Sequence, residues 1–158
     1  MENYRVIIAG SRSFSNYKLL REQCQAVLQE KMRTHQVIIV SGHARGADVL
    51  GERFAKEFGL PVELYPARWN ALGMGAGIVR NAQMAKVSDA LIAFWDGHSR
   101  GTEHMINFAK RRGLDVTIIG NGVKPCQEEH PLQNTFRGRK AADQRPKYES
   151  AAMTYPSI

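Results

Sequence analysis

The sequence predicts an α/β protein of three layers, with a mainly parallel sheet of about five strands between helices. Three observations carry this. Apolar runs of strand length alternate with longer segments of helical period from residue 4 to residue 119. The runs are apolar throughout instead of alternating, as strands buried on both faces must be. Capping residues and glycine stops fall at the junctions between the segments. A repeated strand-then-helix step brings successive strands parallel, with right-handed crossovers.

Each element follows in order. Tyr4–Ala9 (YRVIIA) is the first strand and Gly10–Ser15 its exit loop. Asn16 is placed to cap a helix with apolar positions Leu19, Leu20, Val27 and Leu28, running to about Thr34. Gln36–Val40 (QVIIV) is the second strand, and Ser41–Arg45 the loop after it. A helix from about Gly46 to Phe58 ends at Gly59, with Pro61 just beyond. Pro61–Tyr65 is the third strand, Pro66–Gly75 a longer loop and Ala76–Val87 a helix. Ala90–Phe94 (ALIAF) is the fourth strand, Trp95–Arg100 its loop, and a helix runs from Gly101 to about Arg112. Gly113 stops that helix, and Asp115–Ile119 is the fifth strand. The spatial order of the strands is not set by periodicity. Residues 1–120 read as one domain. Residues 121–158, with Pro125, Pro131 and Pro146 and few aliphatic side chains, read as a polar, irregular C-terminal tail.

Composition narrows the classes. The chain has 158 residues, 43% hydrophobic and 23% charged, which suits one globular domain with its own core. Two cysteines, Cys24 and Cys126, are too few for a stapled secreted scaffold, so a reducing, cytoplasmic setting is expected. The first strand starts close to Met1, so no signal segment is expected. No apolar run approaches the roughly 18 residues of a membrane span, and no membrane partner is expected. The formal charge of +7 favours acidic partners such as phosphates, nucleotides or nucleic acid. Basic residues at a helix end (Lys110, Arg111, Arg112) also complement the helix dipole, so part of that charge has a local role.

In open α/β sheets ligands bind outside the carboxyl ends of the strands. Four loops there have unusual chemistry. In the first, Gly10 permits a sharp turn, Ser11 and Ser13 bring hydroxyls, and Arg12 a guanidinium fork for phosphate or carboxylate. In the second, Ser41, Gly42, His43, Ala44, Arg45, Gly46, Ala47 and Asp48 form a glycine-bracketed turn opening a helix, a general anion cradle. It has neither the dinucleotide fingerprint nor the Lys-Ser/Thr ending of a Walker A loop. Asp48 there either faces the ligand or caps the helix and holds the loop closed. The third loop has Gly73, Gly75 and Gly77 leading into a helix with Arg80 and Asn81 in its first turns. Trp69 just upstream either stacks on a base or belongs to the core. The fourth combines Asp96, Gly97, His98, Ser99, Arg100, Gly101, Thr102 and Glu103 at a helix start. Asp96 is placed to accept from a ribose hydroxyl, and His98 is either a proton-transfer group or an ordinary loop residue. Four such loops, each with an arginine, indicate a phosphate-bearing ligand.

The strings GSRSF (10–14), SGHARGAD (41–48), PARW (66–69), AGIVRNAQM (76–84), SDALIAFWDG (88–97) and SRGTEHMI (99–106) resemble the YspA-like, YpsA-related branch of the SLOG superfamily. That superfamily also holds the Lonely Guy phosphoribohydrolases and the DNA-processing protein DprA. The resemblance implies a Rossmann-like fold and a nucleotide or nucleotide-derived ligand, with no established reaction for this branch. The Lonely Guy enzymes cleave the N-glycosidic bond of a nucleoside 5′-monophosphate, and Arg80 and Met84 match one of their motifs. In their glycine-rich motif Gly101 and Thr102 match, but the closing glutamate falls on Met105, and Glu103 lies about 200° away around the helix.

The expected function is binding of a nucleotide-type phosphate ligand, as a sensor or processor. The expected binding residues are Gly10, Ser11, Arg12, Ser41, Gly42, Arg45, Gly46, Asp48, Trp69, Gly77, Arg80, Asn81, Asp96, Gly97, Ser99, Arg100, Gly101 and Thr102. The alternatives are phosphoribohydrolase activity through Arg80, Asp96 and Glu103, or single-stranded DNA binding. Redox chemistry on a dinucleotide is not expected, because GxGxxG is absent after the first strand. The histidines lack paired ligand spacing, so no metal is expected, and no cofactor is assigned. The resemblance also implies a homo-oligomer, a dimer before other states.

Overall fold

The computed structural model describes residues 1–69 and 73–120. The tail expected over residues 121–158 lies outside the described residues. In chain order these form β1 (Asn3–Gly10), α1 (Tyr17–Thr34), β2 (Gln36–Ser41), α2 (Ala47–Glu57), β3 (Val62–Leu64), a 3-10 turn (Gly73–Gly75), α3 (Ala76–Val87), β4 (Ala90–Trp95), α4 (Arg100–Arg111) and β5 (Asp115–Gly120). Each helix has a local cause for its limits. The Asn16 side chain accepts from the Leu19 N–H at 3.0 Å, which starts α1. Gly113, with φ +76°, turns the chain out of α4 while the Leu114 N–H reaches back to Ala109 O at 3.0 Å.

The strands pair in parallel in the order β3-β2-β1-β4-β5. Side chains on β1 alternate between two cores. Val6 and Ile8 join Leu20, Cys24, Leu28 and Phe54, which puts α1 and α2 on one face. Ile7 and Ala9 join Met84, Met105, Ile106 and Phe108, which puts α3 and α4 on the other. The third strand is shorter than its apolar run predicts. Only three of its expected five residues have strand geometry, because β3 is an edge with Val62 and Leu64 exposed. The residues flanking those three still bond to β2: Pro61 O accepts from Ile39 N at 2.9 Å and Tyr65 N donates to Ser41 O at 2.8 Å.

This order sets the place of the site. From β1 the chain crosses to α1 on one face, and from the neighbouring β4 it crosses to α4 on the other. The two exits diverge and leave a crevice at the carboxyl ends of β1 and β4. Among the described residues no helix is long and apolar enough to cross a membrane.

Helix α2 lies so close over β1 that a Cβ at Gly51 would sit 2.7 Å from Ile8 Cγ2. Gly51→Ala therefore lowers stability by about 1–3 kcal/mol through overpacking. In an exposed helix the same change raises stability by about 1 kcal/mol. Urea denaturation of the two proteins reads the sign directly.

Candidate functional site

The crevice is closed at its base by backbone contacts that tolerate only glycine. A Cβ on Gly10 would collide with the Phe94 carbonyl oxygen and come within 2.8 Å of Ala47 Cβ. One residue on, Ser11 N donates to Phe94 O at 3.1 Å. Gly46, with φ +83°, sits against the Ser11 carbonyl, where a Cβ has no room. The first and second loops are thereby held together, with Ala47 N donating to Ser11 O at 3.4 Å.

Two adjoining clefts open above this base. The inner one, about 410 Å³, has an apolar floor of Ala9, Met84 and Met105. Its polar wall comes from Gly10, Ser11, Arg12, Ser13, Ala44, Asp48, Arg80, Asn81, Asp96, Ser99, Gly101 and Thr102. The outer one, about 330 Å³, is lined by Gly42, His43, Arg45, Pro66, Ala67 and Trp69 as well as Arg12, Ala44 and Arg80. Arg12, Ala44 and Arg80 line both. The buried polar side chains among the described residues are Ser11, Ser41, Asp48, Asn81 and Thr102, and all five belong to these loops and helix starts.

Arg80 holds the centre. Its Nη1 donates to Gly42 O at 2.6 Å and its Nε to Asn81 Oδ1 at 2.9 Å. Asn81 in turn donates from Nδ2 to Gly101 O at 3.2 Å, so one amide ties α3 to the start of α4. Gly42 has no side chain because Arg80 and the Asp48 carboxylate occupy that space. Asp48 is buried, and its Oδ2 accepts from Ala44 N at 3.3 Å. Burial pushes its carboxyl up to about 6, against the opposing pull of Arg80 and of the Ala44 N–H. Burial also lowers the pKa of the Arg80 guanidinium, against the attraction of Asp48.

Asp96 behaves oppositely. Its Oδ1 accepts from the His98 and Ser99 N–H groups, both at 2.8 Å. Those bonds, Ser99 first, hold its carboxyl below the usual carboxylate range. Asp96 N donates to the Ser11 hydroxyl at 3.3 Å, which joins the first and fourth loops. The start of α4 is steadied by Ser99 Oγ and Thr102 Oγ1, 3.1 Å apart. The N-cap residues of α2, α3 and α4 (Gly46, Gly75, Ser99) make no side-chain capping hydrogen bond, which leaves helix-start N–H groups at this edge.

The loops read from the sequence meet here, though not every residue does. Gly10, Ser11, Arg12, Asp48, Arg80, Asn81, Asp96, Ser99, Gly101 and Thr102 reach the inner cleft, and Gly42, Arg45 and Trp69 the outer. Trp69 is 49% exposed, so it is not a core residue. Asp48 does not cap α2 but braces the loop from below. Gly46 acts through the backbone, and Gly77 lies beside the Trp69 ring. Ser41 is buried under its loop, donating to Glu52 Oε1 at 2.7 Å. Gly97, in the loop before α4, and Arg100 and Glu103, which the start of α4 turns outward, are exposed and line neither cleft. His98 is likewise exposed outside both. Sequence reasoning missed the floor residues Met84 and Met105, whose helical spacing reads as ordinary core. It also missed Glu52, which holds His43 Nδ1 at 2.8 Å across a turn where His43 has φ +56°.

The raised Asp48 pKa has a sign for stability. Between about pH 4 and 6 the folded chain holds this proton more tightly than the unfolded chain, so the contribution of Asp48 to stability falls as pH rises through that window. Relative to Asp48→Asn, the natural protein loses about 2 kcal/mol from pH 4 to pH 7. Parallel urea titrations across that range measure the difference.

The family and the fold are shared with known proteins. Gene 61 protein of Mycobacterium phage D29 is 33% identical over 124 residues, covering 74% of this chain and 97% of that protein. DNA processing protein A (DprA) from Streptococcus pneumoniae superposes with a TM-score of 0.56 at 19% identity. The match covers 74% of this chain and half (50%) of that one. TM1055 superposes with a TM-score of 0.53 at 20% identity, covering 73% of this chain and 72% of that one. At such identities the two structures share the fold, a Rossmann-like parallel sheet. Residues 4–71 match the profile of one family, and with the phage relative aligned over nearly its whole length, the chain belongs to the YspA, cpYpsA-related SLOG family.

Proposed function

We propose that the crevice at the ends of β1 and β4 binds a nucleotide or nucleotide-derived phosphate ligand, with residues 1–120 as the binding domain and 121–158 an extension of it. The protein then acts in the cytoplasm as a sensor or processor of that ligand. The observation that carries this reading is Arg80, fixed by Gly42 O and Asn81 Oδ1 where the two clefts meet. Arg12 lines the same junction, and helix-start N–H groups surround it. The nearest carboxyl, Asp48, is buried below the loop beside Arg80. With its pKa raised to about 6 it is still charged at neutral pH and balances part of the arginine charge, so Arg12 and the helix-start N–H groups supply the excess positive field for an arriving anion. Asp96, kept charged, is suited to accept from ribose hydroxyls. The apolar floor of Ala9, Met84 and Met105 suits the face of a sugar or base.

A second reading, cleavage of the N-glycosidic bond of a nucleoside 5′-monophosphate, is favoured by one observation. The two carboxyls lining the inner cleft are driven apart, Asp48 upward and Asp96 downward. That asymmetry separates an acid from a charge stabiliser. Glu103 has no part in it, since it is exposed outside the cleft. This reading expects free base to appear in a time course with AMP or GMP, and Asp96→Asn to abolish it.

Thermal-shift titration with nucleoside mono- and diphosphates tests the leading reading. A ligand at a hundred times its Kd adds about 2.7 kcal/mol, or about 5–10 °C in Tm for a domain of this size. Arg80→Ala, shown to be folded by circular dichroism, loses that shift. No shift with any nucleotide overturns the reading. A response to oligo-dT alone, falling steeply with salt, puts single-stranded DNA in its place. The pneumococcal neighbour, a DNA processing protein, makes that arm worth running.

A further inference from the structure

The two clefts differ in chemistry, and the difference bears on what the ligand carries beyond its phosphate. The inner cleft has an apolar floor and a fixed carboxylate at its rim, but no aromatic side chain among its lining residues. The outer cleft has Trp69, 49% exposed. Its ring is supported from α3, where a Cβ on Gly77 would lie 3.5 Å from Cη2. The Arg12 guanidinium carbon stands 6.0 Å from the ring centroid. The ring thus touches α3, has Arg12 over it, and is still half exposed.

The arginines sit between these surfaces. Arg12 and Arg80 line both clefts, and Arg80 is anchored on one side by Gly42 of the outer cleft and on the other by Asn81 of the inner. A phosphate held by this pair has space on both sides. A mononucleotide with its nucleoside in the inner cleft leaves the outer cleft and the Trp69 ring in water.

On the reading that the inner cleft holds a nucleotide, we propose that the ligand is two-headed: its phosphate lies between Arg12 and Arg80, and a second ring carried on that phosphate stacks on Trp69 in the outer cleft. Stacking of one ring on an aromatic side chain and the displacement of water from both faces supply the added affinity. The shared chemistry is a nucleotide whose phosphate bears a second ring. The link is either a pyrophosphate, as in NAD, or a phosphodiester, as in the dinucleotide ApA.

Isothermal titration of the full chain with AMP, NAD and ApA separates these. The expected result is that NAD or ApA binds at least about tenfold more tightly than AMP. In Trp69→Ala the ratio falls to near one, and in Trp69→Phe it is restored. A gain for NAD alone supports the proposal with a pyrophosphate link, and a gain for ApA alone supports it with a diester. If AMP binds and neither larger ligand binds more tightly, the two-headed ligand is wrong and the nucleotide site stands. A gain that survives Trp69→Ala also overturns the proposal, since the second ring then lies elsewhere. If none of the three binds, the nucleotide reading itself fails and this inference falls with it.

Discussion

The hydrogen bond from Ser11 N to Phe94 O is where β1 and β4 last touch, and the rest of the site depends on it. Up to that point the strands run in register, with Gly10 opposite Phe94. Beyond it, one chain turns toward α1 and the other toward α4, on opposite faces of the sheet. The rung can form only because Gly10 has no Cβ, since both the Phe94 carbonyl and Ala47 of α2 press on that position. The divergence that opens the crevice is thus fixed by close packing at its base. Loop flexibility has little to do with it. A larger residue at position 10 would push α2 outward and separate the first loop from the second.

Above that base the molecule tolerates a concentration of buried polarity that it shows nowhere else among the described residues. Ser11, Ser41, Asp48, Asn81 and Thr102 are each buried and each hydrogen-bonded, to Asp96 N, Glu52, Ala44 N, Gly101 O and Ser99 in turn. Satisfying these groups limits the desolvation cost but does not remove it for a carboxyl, as the raised pKa of Asp48 records. Apolar side chains of similar shape would pack there with less penalty. The network instead fixes the positions of Arg80 and Asp96, one offering charge and the other accepting it. Two apolar cores, one on each face of the sheet, supply the stability against which this is set.

Most of the fold was legible because its signals are local. The ends of helix α3 follow from apolar period and glycine spacing, and those of β2 and β4 to within one residue. The order of the strands was not legible, because it depends on which faces the crossovers choose. At the site, Gly10, Arg12 and Asp96 stand just after strands and line the inner cleft, as their place in the sequence suggests. Rotation about a helix was only partly legible. Arg100 and Gly101 are adjacent in sequence, yet only Gly101 lines the inner cleft. Met84 and Met105 have the spacing of core residues and are core residues, with one side forming the cleft floor. The His43–Glu52 contact joins a left-handed turn to the second turn of α2, and no pattern in the sequence announces it.

One turn of α4 shows how narrowly a seat for a ligand differs from a reaction centre. The buried stripe of this helix runs through Thr102, Met105, Ile106, Phe108 and Ala109. Met105 and Thr102 meet the cleft because they are three residues apart on one side, while Glu103 is turned about 100° from Thr102 and into solvent. A carboxylate on the inward side would stand over the ligand; the methionine presents an apolar wall beside Met84 instead. The carboxyls left in the inner cleft are Asp48, beside Arg80, and Asp96 at its rim. Two backbone N–H groups already hold Oδ1 of the Asp96 carboxylate, which keeps it charged but shares its charge with the turn. A carboxylate so engaged stays charged and accepts hydroxyls through its other oxygen. On the reading proposed above, α4 thus gives the ligand an apolar wall and no carboxylate of its own, through the rotation of a single helix turn.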